Sequence, residues 1–200
     1  MRWVSVSALV FTLFVTAFIL LRPAPRASLS GLEFAELAVH THKQYASGKL
    51  ELDVRSDSQR LLNDWLKQTL PFPLALPENP PAPGEVRPYQ IEGARLVRAG
   101  GKSAAFIAYQ LKSGPSTLIV TPDSVAVASG GVAANFKKVS FHYATVEGYK
   151  VVTWTQHGRT YALVSREGNS TQQSCMICHS AMRDRDLTNT PTPLAKPILQ

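Results

Sequence analysis

The chain has 200 residues, 44% of them hydrophobic and 18% charged, with a formal net charge of +7. That length suits one domain with appendages and leaves no room for a large multidomain enzyme, while the apolar content excludes a disordered chain. Two cysteines exclude a disulfide-stapled scaffold and cannot by themselves complete a four-cysteine zinc site or iron–sulfur cluster. Lys and Arg are scattered singly apart from Lys137-Lys138. No zinc-finger spacing or aromatic RNA-binding signature goes with them, so no nucleic-acid partner is expected. Anionic lipid head groups or an acidic partner fit such a charge better.

Residues 3–21, WVSVSALVFTLFVTAFILL, carry no charge and are long enough for a membrane-crossing helix, which takes about 17–25 apolar residues. A cleaved signal peptide has a shorter apolar region of about 7–15 residues. Ala24-Pro25-Arg26-Ala27 is a poor cleavage site, so an uncleaved anchor is expected. Arg22 and Arg26 outweigh Arg2, which by the positive-inside rule would keep the body in the cytoplasm. The cysteine motif described below argues for the opposite side. The expected division is residues 1–29 as anchor and flank, 30–167 as an extracytoplasmic domain and 168–200 as a tail, in a single-pass inner-membrane protein.

Ser30 can cap a helix over Gly31 to Ala46, with Phe34, Leu37, Ala38 and Tyr45 on one approximate stripe and Gly48 ending it. His40 and His42 fall two apart, on different faces, a poor spacing for shared metal binding; solvent-facing or capping roles are expected. Leu50 to Val54 alternates as a short strand. Ser56-Asp57 should start a second helix, burying Leu61, Leu62, Trp65 and Leu66 and ending at Pro71. Seven prolines between Pro71 and Pro88 make an extended arm, with Phe72, Leu74 and Leu76 available to pack on the domain.

Strands are expected at Tyr89–Val97, Ser103–Leu111, Thr117–Thr121, Val139–Val146, Tyr149–Thr155 and Thr160–Ser165, rich in Val, Ile, Tyr, Phe and Thr. Glycine-bearing turns separate them, and Ala126–Asn135 reads as a loose loop. Short connections point to an antiparallel meander. The expected fold class is therefore α+β: an N-terminal transmembrane helix, two helices packed on a mainly antiparallel sheet, and an extended C-terminal tail.

Several segments, in order, resemble the extracytoplasmic domain of bacterial membrane anti-sigma factors. They are Val54–Ser56, Trp65, Gly93–Val97, Ala104-Ala105 with Tyr109, and Gly148, Trp154 and Gly158 with Tyr161–Ser165. The likeness spans about residues 40–167 and implies a membrane-anchored signalling domain. Such factors hold their sigma factor through a cytoplasmic zinc-binding segment ahead of the membrane helix. Only Met1-Arg2 precede the apolar run, so no sigma-factor pairing is expected.

Cys175-Met176-Ile177-Cys178-His179 is the attachment pattern of c-type haem. The two thiols add across the haem vinyl groups, and His179 supplies the proximal iron ligand. The segment resembles the attachment site of c-type cytochromes over these five residues. Haem c is attached outside the cytoplasm in bacteria, which agrees with an exported body. Other readings of the motif are a zinc site using Cys175, Cys178, His179 and one further ligand, a redox dithiol, or a plain disulfide with no cofactor. Twenty-one residues follow His179, three of them proline, too few for a cytochrome domain folded around its haem. Met182 and Met176 are badly placed for the opposite axial position. A sixth ligand would come from His40, His42, His142 or His157, from a partner, or be absent.

No nucleophile elbow, zinc-protease helix or phosphate loop occurs, so a turnover enzyme is not expected. The sequence points to a membrane-anchored periplasmic haem c protein, in electron transfer or haem-based sensing with a redox or signalling partner. The alternative is a non-haem, anti-sigma-like interaction module whose Cys/His motif binds metal or forms a disulfide.

Overall fold

The computed structural model describes residues 28–77, 89–136 and 138–166. The first helix, α1 (Gly31–Ala46), begins where the capping residues place it. Ser30 N–H donates to Glu33 Oε2 at 2.8 Å and Glu33 N–H donates to Ser30 Oγ at 3.3 Å, which satisfies two backbone donors left over by helix geometry. These bonds hold the Glu33 carboxyl below its usual pKa. The second helix, α2 (Gln59–Thr69), is capped by Ser58, and Ser56 Oγ accepts Ser58 N–H at 3.0 Å just ahead of it. Of the four residues expected on its inner face, Leu62 and Leu66 are buried, Trp65 is half-buried and Leu61 is 56% exposed.

The strands are β1 (Val54–Arg55), β2 (Tyr89–Ala99), β3 (Lys102–Leu111), β4 (Gly114–Pro122), β5 (Val132–Phe136), β6 (Val139–Val146), β7 (Tyr149–Gln156) and β8 (Arg159–Arg166). They form one sheet in the order β1-β2-β3-β4-β8-β7-β6-β5, with every pair antiparallel. The β6–β7 and β7–β8 hairpins close on Glu147-Gly148 and His157-Gly158, all four with positive φ. That backbone hand matches the twist of the flanking strands. After β4 the chain crosses the sheet through residues 123–131 to the far edge, then returns strand by strand until β8 lies beside β4.

The expected fold class needs correction. Strand residues outnumber helical ones by more than two to one, so the domain is mostly an eight-stranded antiparallel sheet carrying two helices. No helix among the described residues is long and apolar enough to cross a membrane; residues 3–21 and the tail 168–200 lie outside the described residues. The helices also do not share a layer. β3 reads Ala104-Ala105-Phe106-Ile107-Ala108-Tyr109, all buried. A strand apolar at every position needs cover on both faces, because successive side chains point oppositely.

On one face Phe106, Ile119, Ala162, Val164 and Val151 pack with Phe34, Ala35, Ala38 and Val39 of α1. On the other, Ile107, Leu118, Val120, Leu163 and Trp154 share a core with Leu62 and Leu66 of α2 and with Leu74 and Leu76 of the arm. The arm packs as expected as far as Pro77, held by Asn63. Leu76 N–H donates to Asn63 Oδ1 at 2.7 Å, and Asn63 Nδ2 donates to Leu76 O at 3.3 Å.

Two further expectations change. The strand expected over Leu50 to Val54 pairs only at Val54–Arg55. Asp53 Oδ2 accepts Leu96 N–H at 2.9 Å, taking the place a strand carbonyl would have and ending the ladder. The loop expected over Ala126–Asn135 instead contributes most of β5, which pairs with β6; its alanines carry a weak strand signal alone and are recruited by the partner strand.

Candidate functional site

The predicted haem residues Cys175, Cys178 and His179 lie outside the described residues. The four histidines named as candidate sixth ligands are dispersed, and among the described residues no group of three or more His, Cys, Asp and Glu could hold a metal ion.

His40 stands on the exposed side of α1 with its Nε2 accepting from Gln44 Nε2 at 3.0 Å. The neighbouring Lys43 pairs with Glu147 at 2.5 Å, a contact that holds the lysine pKa up and the glutamate pKa down. His157 occupies the β7–β8 turn at a φ of 51° and is exposed.

His42 was expected to face solvent or cap the helix, and it does neither. It is 2% exposed, with Nδ1 3.0 Å from Thr117 Oγ1 and its ring edge-on to Tyr149 at a centroid distance of 5.1 Å. Burial pushes the imidazole pKa down to about 4, with Arg166 adding to the shift. The signal for this was present in the sequence: His42 lies four residues beyond Ala38 and three before Tyr45, on the apolar stripe itself. Thr117 and Tyr149 give no sequence sign of their role, because they approach from strands far along the chain. Near the end of the helix, Tyr45 donates its hydroxyl to Glu92; burial and that carboxylate raise the phenol pKa.

His142 borders a concavity. A cleft of about 180 Å³ lies between the first turn of α1 (Gly31, Leu32, Ala35), the crossing segment (Ser129–Gly131) and the strand residues His142, Ala144, Val151 and Thr153. Its walls are close because Gly31 has no side chain; a Cβ there would lie 2.1 Å from Ser129 O. Gly31 N–H donates to Ser129 Oγ at 3.1 Å, which ties the crossing segment to the helix start. Leu29 N–H donates to Val125 O, Val127 N–H donates to Leu29 O, and Thr160 Oγ1 donates to Ala126 O at 2.7 Å. The rim is thus fastened from both sides. His142 Nδ1 sits 3.2 Å from Gly130 O.

No family model matches the chain, and no curated protein matches it. Among solved structures, a GTP-binding regulator from Thermotoga maritima is similar over 48% of this chain and 78% of its own, at 12% identity and a TM-score of 0.37. That likeness is too slight to bear on fold or function.

Proposed function

We propose that the chain is a haem c-binding protein of the periplasmic side of the inner membrane, acting in electron transfer or haem-based sensing. The observation that carries this reading is Cys175-x-x-Cys178-His179, in which two thiols and an imidazole stand at the spacing that covalent haem attachment requires. The apolar run 3–21 and the exported site of haem attachment support placement at the membrane with the body outside the cytoplasm. When bound, the haem supplies one-electron chemistry at its iron; Cys175 and Cys178 would hold it and His179 would ligate it. A redox or signalling partner follows from that role, since a single carrier must receive and pass its electron.

The test is direct. The full chain is produced in a host with haem-maturation machinery, then read by a haem-stained denaturing gel and by intact mass. The expected result is a stained band heavier by one haem, abolished by Cys175→Ala together with Cys178→Ala. A colourless chain at its unmodified mass refutes the reading and leaves the anti-sigma-like interaction module.

A further inference from the structure

We propose that the cleft between the start of α1 and the sheet is a binding site for a small neutral phenol, whose ring lies on aliphatic side chains and whose hydroxyl bridges His142 and Thr153. The site consists wholly of described residues and stands independently of the haem reading.

Two unpartnered polar groups meet there. His142 and Thr153 are directly paired across β6 and β7, so their side chains share a face with Cβ atoms about 5 Å apart. The Nδ1 of His142 faces Gly130 O at 3.2 Å. A carbonyl oxygen only accepts, so Nδ1 carries the proton and Nε2 of the neutral ring keeps its lone pair. No described residue hydrogen-bonds that Nε2. Thr153 is 3% exposed and lines the cleft, and no described residue bonds its hydroxyl. The hydroxyl is not sealed inside the protein, as the unpartnered Thr121 hydroxyl is; its remaining surface opens on the cleft. An almost buried hydroxyl favours a partner, and a ligand can supply one.

These groups select the polar part of the ligand. Nε2 needs a donor, and a threonine hydroxyl can donate or accept. A single ligand hydroxyl donates to the first and accepts from the second. A carboxylate or a ketone only accepts and leaves Nε2 without a bond. No Lys, Arg, Asp or Glu lines the cleft, so a charged ligand would give up its hydration with no ion to meet it.

Form selects the apolar part. Gly31 and Ala35 lie one turn apart on α1 and line the cleft together with Ala144 and Val151 of the sheet. Three of these four are glycine or alanine, which leaves room between helix and sheet and presents only aliphatic surface to a ring. The volume is about 180 Å³, and an apolar cavity of about 150 Å³ takes up benzene. One six-membered ring with its hydroxyl and a further small group fills that space. A larger ligand exceeds it, since pockets for drug-sized molecules run to about 300–1,000 Å³.

The experiment titrates the full chain, carrying isotope-labelled histidine, with p-cresol. Toluene, of similar shape without the hydroxyl, and benzoate, which is charged, are the comparison probes. The expected result is saturable binding of p-cresol that moves the Nε2 resonance of His142 and leaves those of His40 and His157 in place. Toluene should bind about fivefold more weakly or worse, as loss of a hydrogen bond predicts, and benzoate more weakly still. Thr153→Val, which keeps the side-chain shape, should weaken p-cresol about fivefold and leave toluene unchanged. Ala144→Leu, which fills the cleft from a half-buried position, should abolish binding of both while the chain still unfolds cooperatively. Binding that does not saturate, a His142 resonance that stays in place, or full affinity in Ala144→Leu overturns the site. Toluene or benzoate binding as tightly as p-cresol overturns the hydroxyl bridge and the ligand class. Each readout is taken whether or not the chain carries haem, so failure of the haem reading leaves this one standing.

Discussion

Acid should loosen this domain through one residue. His42 is buried against Thr117 and Tyr149, and its pKa falls from 6.5 to about 4 on folding. Between those values the unfolded chain holds a proton that the folded chain refuses, so stability rises with pH across the window and is lost as pH falls. Each pH unit is worth about 1.4 kcal/mol. The drop from pH 6.5 to pH 4.5 should therefore remove about 2–3 kcal/mol, a large share of the roughly 5–15 kcal/mol that holds a typical domain together.

The depressed carboxylates Glu33 and Glu147, whose ordinary value is 4.5, lose their contribution below that pH and leave the window to His42. The assay is urea denaturation of the full chain at several pH values, followed by the fluorescence of buried Trp154. His42→Leu with Thr117→Val removes the titrating ring without orphaning the Thr117 hydroxyl, and should flatten the acid limb. A wild type of constant stability from pH 6.5 to pH 4.5 refutes the reasoning, as does a double variant with an undiminished slope.

Leu66→Ala, which opens a cavity at a fully buried side chain, should cost about 2–5 kcal/mol. Leu61→Ala, one turn earlier and 56% exposed, should stay within about 0.5 kcal/mol; equal midpoints in denaturant would contradict the helix orientation. Gly93→Ala should cost about 2 kcal/mol or more, because a Cβ there would lie 2.1 Å from Val54 O at a φ of +151°. Loss of amide protection at the β1–β2 pairing, read by hydrogen exchange, would accompany it, and an unchanged exchange pattern would count against that close approach.

Short-range signals were readable because their physics is local. Ser30 and Glu33 start α1 by bonding each other's backbone, and Glu147-Gly148 and His157-Gly158 set the hairpins by their own dihedrals. The Cys175-x-x-Cys178-His179 spacing is a local pattern too, and it lies outside the described residues. The tertiary structure alone decided that α1 and α2 take opposite faces, that the segment after β4 runs to the far edge as β5, and that β8 comes home beside β4.

Each of those choices depends on which surfaces are left uncovered once distant strands have paired, a quantity no short window contains. The histidines show the same division. Along the chain only the position of His42 on the apolar stripe sets it apart from His40, His142 and His157. Their difference arises because Thr117 and Tyr149 close over one ring, while Gly130 orients another at the edge of a cleft.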